Sequence, residues 1–392
     1  MHADLSSVPP PLLIDTRAAL TAWVQALSEA PWIAVDTESD SFHSYKEKVC
    51  LVQMTANGRD AVIDPLAVQD LTPLQPVFVD PRRIKVFHDA VYDLLCLRRD
   101  FGFDFHGIFD TVVASRLLGE RDFGLAAVLL RRFGITVDKH LQRSDWARRP
   151  LSAAQLVYAQ LDTHFLPELA EQLKRELQQR NRWRWAEEEF ARLPDLAVRL
   201  GSRRPVKSAD GFWRLPGVRA LSPMVQGRAR ALHLAREAIA ARLNRPAFKV
   251  FGDRVILDMS LHPPPLERPL APRPGLRRAG AERFGNEILR ALKGARPVTT
   301  PPPAGTSRRR RGGRLRDPAA KDRYESLRAD RARRAEEIGV DPEVLIGNAA
   351  LEDLALRPPD SAEELFGRPD FRGWRRELLA ESIWKILASA KM

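Results

Sequence analysis

The apolar run WIAVDTES at residues 32–39, which closes on two carboxylates, constrains this chain more than any other feature. Trp32 to Val35 suit a buried strand, so Asp36 and Glu38 enter the fold at the edge of its core. Two residues apart on a strand, their side chains leave the same face. Two further clusters repeat the pattern. Asp93 lies within VFHDAVYDLLCL, just past the apolar run IKVFH. Tyr158 and Asp162 lie four residues apart in the helical pattern LVYAQLDTHFL and share a face. A carboxylate beside buried apolar surface is costly unless something neutralises it. Four of them point to a pair of hard divalent cations, Mg²⁺ or Mn²⁺, held by oxygen ligands. Two such ions about 3.5–4 Å apart stabilise the attacking and leaving oxygens of an in-line displacement. The set therefore points to metal-dependent phosphodiester chemistry.

Around these clusters, strands alternate with helices, which predicts an α/β layer fold. Residues 12–28 have helical spacing, with Leu20, Trp23, Val24 and Leu27 on one side. Strands follow at 32–38, 48–55 and 61–65, with Asn57-Gly58 as a hairpin turn between the last two. A short helix at 72–79 leads to the strand IKVFH. Helices are predicted from Asp89 to Asp100, from Phe109 to Leu118, and from Leu151 to Leu177 with Ser152 as cap. Beyond about residue 195 the strand signals fade. Ser222-Pro223 starts a helix, and another ends near Leu292. Residues 296–316 are rich in Pro, Gly and Arg and read as a linker. Helices resume over Tyr324–Ile338, after a capping box at Ser361–Glu364, and from Arg375 to Leu387.

Charge divides along the same line. The first 200 residues hold 24 basic and 28 acidic side chains, whereas residues 201–300 hold 20 and 7. An acidic part that concentrates carboxylates beside a basic part that attracts a polyanion suggests a nucleic-acid substrate. An Arg-rich proteome would also raise the basic count, but it leaves the acidic first half unexplained. No stretch is long and apolar enough for a transmembrane helix, and the N-terminus lacks the pattern of a signal peptide. Two cysteines, Cys50 and Cys96, each in an apolar run, fit buried free thiols and a reducing cytoplasm.

The D-x-E strand, the F-H-x-A-x-x-D segment and the Y-A-x-x-D helix resemble the three exonuclease motifs of the DEDD superfamily. Val157 stands where the His-type subgroup has histidine, so the likeness is to the Tyr type. LVQM (51–54), RRDFG (98–102), FDT (109–111), SDWARRPLS (144–152) and RWRWAEEEF (182–190) are similar to the ribonuclease D family. LNRPAFKVF (243–251) and AERFGNEIL (281–289) resemble its helicase-and-ribonuclease-D C-terminal (HRDC) domains. The resemblance implies a ribonuclease H-like mixed-sheet exonuclease domain over 1–195. It further implies HRDC-like all-α domains over 212–295 and 317–392, joined by the 296–316 linker.

By that resemblance Asp36, Glu38, Asp93 and Asp162 hold two metal ions, and Tyr158 orients the attacking water, with deprotonation of that water as the alternative role. The expected activity is 3′–5′ exoribonuclease, releasing 5′-nucleoside monophosphates from tRNA precursors and other small structured RNAs. His88 is either a contact to the substrate backbone or a structural histidine. Gln53 either touches the terminal nucleotide or holds its strand. Asp89 replaces the glycine usual after the histidine, which puts close substrate approach there in question. Asp145 and Trp146 brace the loop before the last helix. Lys249, Arg277, Arg278 and Arg283 are candidate phosphate contacts, and Arg308–Arg311 are either a solvated linker or a further one. The resemblance points to a monomer with no membrane and no obligate protein partner. Two rivals remain: a DNA exonuclease of the same superfamily, since no motif here reads a 2′-hydroxyl, and a catalytically silent RNA-binding scaffold.

Overall fold

The computed structural model describes residues 8–203, 209–299 and 317–389. Most of the predicted Pro/Gly/Arg-rich linker, including Arg308–Arg311, lies outside the described residues. The chain divides into two compact units that do not follow sequence order. One unit joins the N-terminal α/β region to the C-terminal helices. The other joins the middle segment to the short loop Asp40–Lys48.

The first unit is built on a six-stranded mixed sheet in the order β1-β4-β3-β2-β5-β6. The strands are β1 Leu12–Ile14, β2 Trp32–Ser39, β3 Val49–Ala56, β4 Arg59–Ile63, β5 Ile84–Phe87 and β6 Ile108–Asp110. β2, β3 and β4 pair antiparallel, and the other pairs are parallel. Asn57 and Gly58 both take positive φ, +50° and +71°, as the tight β3–β4 hairpin requires. All eight residues of β3 are buried, which is why its sequence VCLVQMTA shows no clean alternation.

The expected helix over 12–28 is instead a strand and a helix. β1 pairs parallel with β4, Leu13 opposite Val62, and α1 (Arg17–Ala26) starts only after Thr16, whose hydroxyl caps Ala19. After the short helices Pro65–Val68 and Gln75–Val79 come α2 (Val91–Phe101), α3 (Thr111–Leu117) and α4 (Leu125–Phe133). Of the FDT segment, expected to open a helix, Phe109 and Asp110 end β6 and Thr111 starts α3, which Asp110 caps by accepting from Val112 and Val113. The predicted Leu151–Leu177 helix is two: α5 (Ala153–His164) and α6 (Leu166–Gln179). Pro167 has no N–H to continue the ladder, so the helix restarts there. Two further helices, α7 (Trp183–Phe190) and α8 (Leu193–Arg203), end the region. α5 lies across β2, β3 and β4, and α6 across β2, β3 and β5.

The C-terminal helices of this unit, chiefly Pro318–Ile338, Asn348–Leu356 and Trp374–Ser389, share its hydrophobic core. Trp374 stacks on Trp185 of α7 with ring centroids 4.7 Å apart, and its indole N–H donates to Glu189 at 3.0 Å. Buried Arg182 donates to the carbonyls of Leu117 and Ile338.

The second unit is all-helical: Pro223–Arg242, Asp253–Leu261 and Arg278–Lys293 close over Phe212, Trp213, Leu232, Ile256 and Ile288. The loop after β2 belongs to it. Tyr45 packs on this core, its hydroxyl donates to Glu237 at 3.0 Å, and its amide donates to Asn244 Oδ1 at 3.2 Å.

Candidate active site

Asp36, Glu38, Asp93, Tyr158 and Asp162, from three separated segments, line one cleft of about 470 Å³. β2 carries the first two on the face covered by α5. Asp93 stands in the first turn of α2, where the helix dipole favours a negative charge. Tyr158 and Asp162 project from α5, which begins with a reciprocal capping box between Ser152 and Gln155. The loop before α5 is also fixed. Arg149 grips Asp64 through two bonds of 2.6 and 2.7 Å and donates to the carbonyls of Trp146 and Cys50. The Trp146 ring packs 5.9 Å from that of Tyr158, so the loop braces the tyrosine itself.

Asp93 is buried, while Asp36, Glu38 and Asp162 are half-buried at the cleft floor. No Lys, Arg or His among the described residues pairs with any of the four. Thr37 Oγ1 donates to Asp93 at 2.5 Å. Removal from water and mutual repulsion therefore dominate their titration. Burial, then the charge of Asp162, raises Asp36 well above the carboxylate range. Burial, then Asp36, Asp162 and Asp93, pushes Glu38 up to about 10. Burial, then Asp36, raises Asp93, and burial, then Asp93, pushes Asp162 up to about 7. Burial raises the Tyr158 hydroxyl as well, with Asp162, Glu38 and Asp36 adding to it. This is an oxygen donor set that lacks positive charge, which suits hard cations. As the side chains stand, no three acidic, His or Cys groups among the described residues converge on one ion.

His88 also lines the cleft. Its Nδ1 lies 2.7 Å from the Thr111 hydroxyl, and burial pushes its pKa down to about 4, against a hydrogen bond with the Phe123 backbone. It is a neutral imidazole at pH 7. Asp89 stands at the cleft rim with φ +68°, a left-handed conformation that Asp tolerates better than most residues. Gln53 does not line the cleft: it is fully buried in β3. Lys249, Arg277, Arg278 and Arg283 lie in the second unit and are all exposed. Arg278 pairs with Glu282 at 2.8 Å, and Arg283 lies over the Phe284 ring.

Sequence reading missed several supports. Thr37, between the two motif carboxylates, binds Asp93. Asp110 accepts from the Ala90 amide at 2.8 Å and so holds the turn that delivers Asp93. The signal was present in FDT, where an acid beside a buried strand end precedes a helix. Asp60 is a buried carboxylate behind α5, bonded to Thr55, Gln160 and His164 at 2.7, 2.6 and 2.8 Å.

Known proteins resemble this chain along nearly its whole length. Residues 11–178 match the family described as 3′-5′ exonuclease, and residues 225–292 and 320–387 each match the HRDC domain. The chain is 32% identical to ribonuclease D of Gluconacetobacter diazotrophicus over 95% of its own length and 92% of that protein. It is 31% identical to ribonuclease D of Granulibacter bethesdensis over 96% and 92%. It shares its fold with Escherichia coli RNase D, with a TM-score of 0.69 at 23% identity, covering 97% of this chain and 99% of that one.

Proposed function

The chain belongs to the ribonuclease D family and is a 3′–5′ exoribonuclease; on that premise we propose that its cleft hydrolyses the 3′-terminal phosphodiester with two divalent cations, trimming tRNA precursors and other small structured RNAs. The observation that carries the reading is the meeting of four carboxylates, unpaired with any cation, beside one tyrosine. Asp36, Glu38, Asp93 and Asp162 would hold Mg²⁺ or Mn²⁺. The ions supply Lewis acidity to the phosphate and charge neutralisation for the attacking and leaving oxygens.

The remaining steps fall to the chain's own groups. Burial, and then the charges of Asp162, Glu38 and Asp36, raise the Tyr158 hydroxyl and disfavour phenolate. Its hydroxyl would orient the attacking water. Water oxygen bonds to phosphorus and its proton passes to solvent, the bond from phosphorus to the preceding nucleotide's O3′ breaks, and that O3′ takes up a proton from solvent. The products are a 5′-nucleoside monophosphate and an RNA one residue shorter. His88 shapes the cleft wall, held there by its hydrogen bond to Thr111. Lys249, Arg277, Arg278 and Arg283 supply phosphate contacts on the second unit.

The protein works as a monomer in the cytoplasm. Two buried cysteines outside any disulfide, Cys50 and Cys96, fit a reducing compartment. No helix among the described residues is long and apolar enough to cross a membrane. The test is to incubate it with a 3′-extended tRNA, a matched single-stranded DNA and Mn²⁺, and to map product ends. Stepwise loss of 5′-monophosphates from the RNA, abolished by chelator, is expected. Equal digestion of the DNA would favour the DNA exonuclease, and no digestion with intact RNA binding would favour the silent scaffold.

A further inference from the structure

Gln53 is fully buried in the middle of β3, and neither its Nε2 nor its Oε1 has a hydrogen-bond partner. A buried amide left unsatisfied is costly, so a sequence that keeps one here calls for a reason.

Its neighbours locate it. In an antiparallel pair, residues directly opposite project from the same face, and Gln53 stands opposite Asp36. Along β3, Leu51 packs with Trp146, Ala159 and Tyr158, and Thr55 bonds to Thr163 of α5 at 2.9 Å. Leu51 and Thr55 therefore face α5, and Gln53, midway between them, does too. The helix turn overhead, between Ala159 and Thr163, carries Asp162. The amide thus lies enclosed beside Asp36 and beneath the turn that bears Asp162. Further along the same seam the polar groups are satisfied. Asp60 accepts from Thr55 and Gln160 and bonds His164, which pins α5 to the sheet.

Resting on the reading of Asp36 and Asp162 as metal-holding carboxylates, we infer that Gln53 is a positioning residue. Its amide N–H donates to the Asp36 carboxylate and holds it in the ligating rotamer when the four carboxylates draw together. An orphaned amide and carboxylates that do not yet converge then have one explanation: the site tightens on loading. Burial gives Gln53 no route to the RNA, so its effect reaches the reaction only through Asp36.

Gln53→Met in the full chain removes the donor and keeps the length. A Mn²⁺ titration followed by melting temperature reads metal binding, and kcat and KM on a short single-stranded RNA read the reaction. The Mn²⁺ midpoint should rise about tenfold, as for donors that orient metal ligands. kcat should fall at subsaturating Mn²⁺ and recover at saturation, KM for RNA should hold, and melting in chelator should not drop. In the Asp36→Asn background, Gln53→Met should leave the Mn²⁺ midpoint unmoved. A wild-type midpoint in Gln53→Met, or an equal shift in both backgrounds, overturns the inference. Asp36→Asn alone reports on the site: if it keeps wild-type turnover and Mn²⁺ response, the carboxylate reading fails whatever Gln53 does. Should Gln53→Met not fold, Gln53→Leu, also apolar and smaller, takes its place with the same expected results.

Discussion

Replacing Asp162 by Asn should stabilise the metal-free protein and disable the enzyme. The carboxyl group is pushed up to about 7 by burial and by the charge of Asp93. Between pH 4 and 7 the native state therefore holds a proton that the unfolded chain has released. Native stability falls as pH rises through that window, and the deficit is complete above about pH 7. Three pKa units correspond to about 4 kcal/mol. Asp162 is only half-buried, and water reaches the cleft floor, so about half of that, roughly 2 kcal/mol, is the realistic penalty. Asp162→Asn removes it. In chelator at pH 8 the variant should melt roughly 4 °C higher than wild type, given a few degrees per kcal/mol for a domain of this size. The gap should narrow to a small fraction near pH 4, where the unfolded carboxyl begins to take up its proton, and vanish below that. Saturating Mn²⁺ should reverse the order. At a hundred times its dissociation constant the ion adds about 2.7 kcal/mol to a protein that binds it, and the variant should gain far less. Turnover should drop at least about 100-fold, equivalent to about 2.7 kcal/mol of transition-state stabilisation. Differential scanning fluorimetry from pH 4 to 9, with chelator and with Mn²⁺, gives the stability curves, and mononucleotide release gives the rate. An Asn protein that melts below wild type in chelator at pH 8, or that gains as much from Mn²⁺, refutes the reasoning.

Tyr158→Phe keeps the packing on Trp146 and removes only the hydroxyl; kcat should fall while KM for RNA holds, and loss of binding with intact kcat would make Tyr158 a stacking residue instead. The basic second unit is best tested by charge, because a cut near residue 200 would also strip the C-terminal helices from α7. Arg277, Arg278 and Arg283 changed together to Ala should weaken tRNA binding and flatten the plot of log affinity against log salt by up to about three contacts' worth. An unchanged slope would mean that these exposed arginines are solvated and touch no phosphate.

The sequence made the site legible before the fold. Asp36 and Glu38 could be placed because a period of two on an apolar strand fixes their face, and Tyr158 and Asp162 because a spacing of four fixes theirs. The joints were harder to see. Leu12–Ile14 looks helical by spacing and becomes a strand because β4 offers it a free parallel edge, a tertiary fact with no local signal. The break at Pro167 did have a local signal, which the run of leucines on either side obscured. Gln53 shows the limit on side chains. LVQM suggests a polar contact, but only the register opposite Asp36 and the burial of β3 turn that contact inward, away from RNA.

The two HRDC segments carry the same point to the level of domains. Both match one family, so helix pattern alone assigns them one role. Their chemistry differs. Residues 201–300 hold 20 basic and 7 acidic side chains, whereas residues 317–392 hold 13 and 16. A net-negative segment gains nothing from the counterion release that drives binding to a phosphate backbone. Its aromatic and charged groups are used within the protein instead. Trp374 stacks on Trp185 and donates to Glu189, and Arg375 pairs with that same Glu189 and donates to the Leu345 carbonyl. These stacked and bonded groups hold the C-terminal helices against α7, and α7 in turn packs against β6, whose Asp110 holds the turn before Asp93. The C-terminal helices therefore bear on the catalytic cleft through structure, while the basic middle segment is left with the surface chemistry that a polyanion recognises.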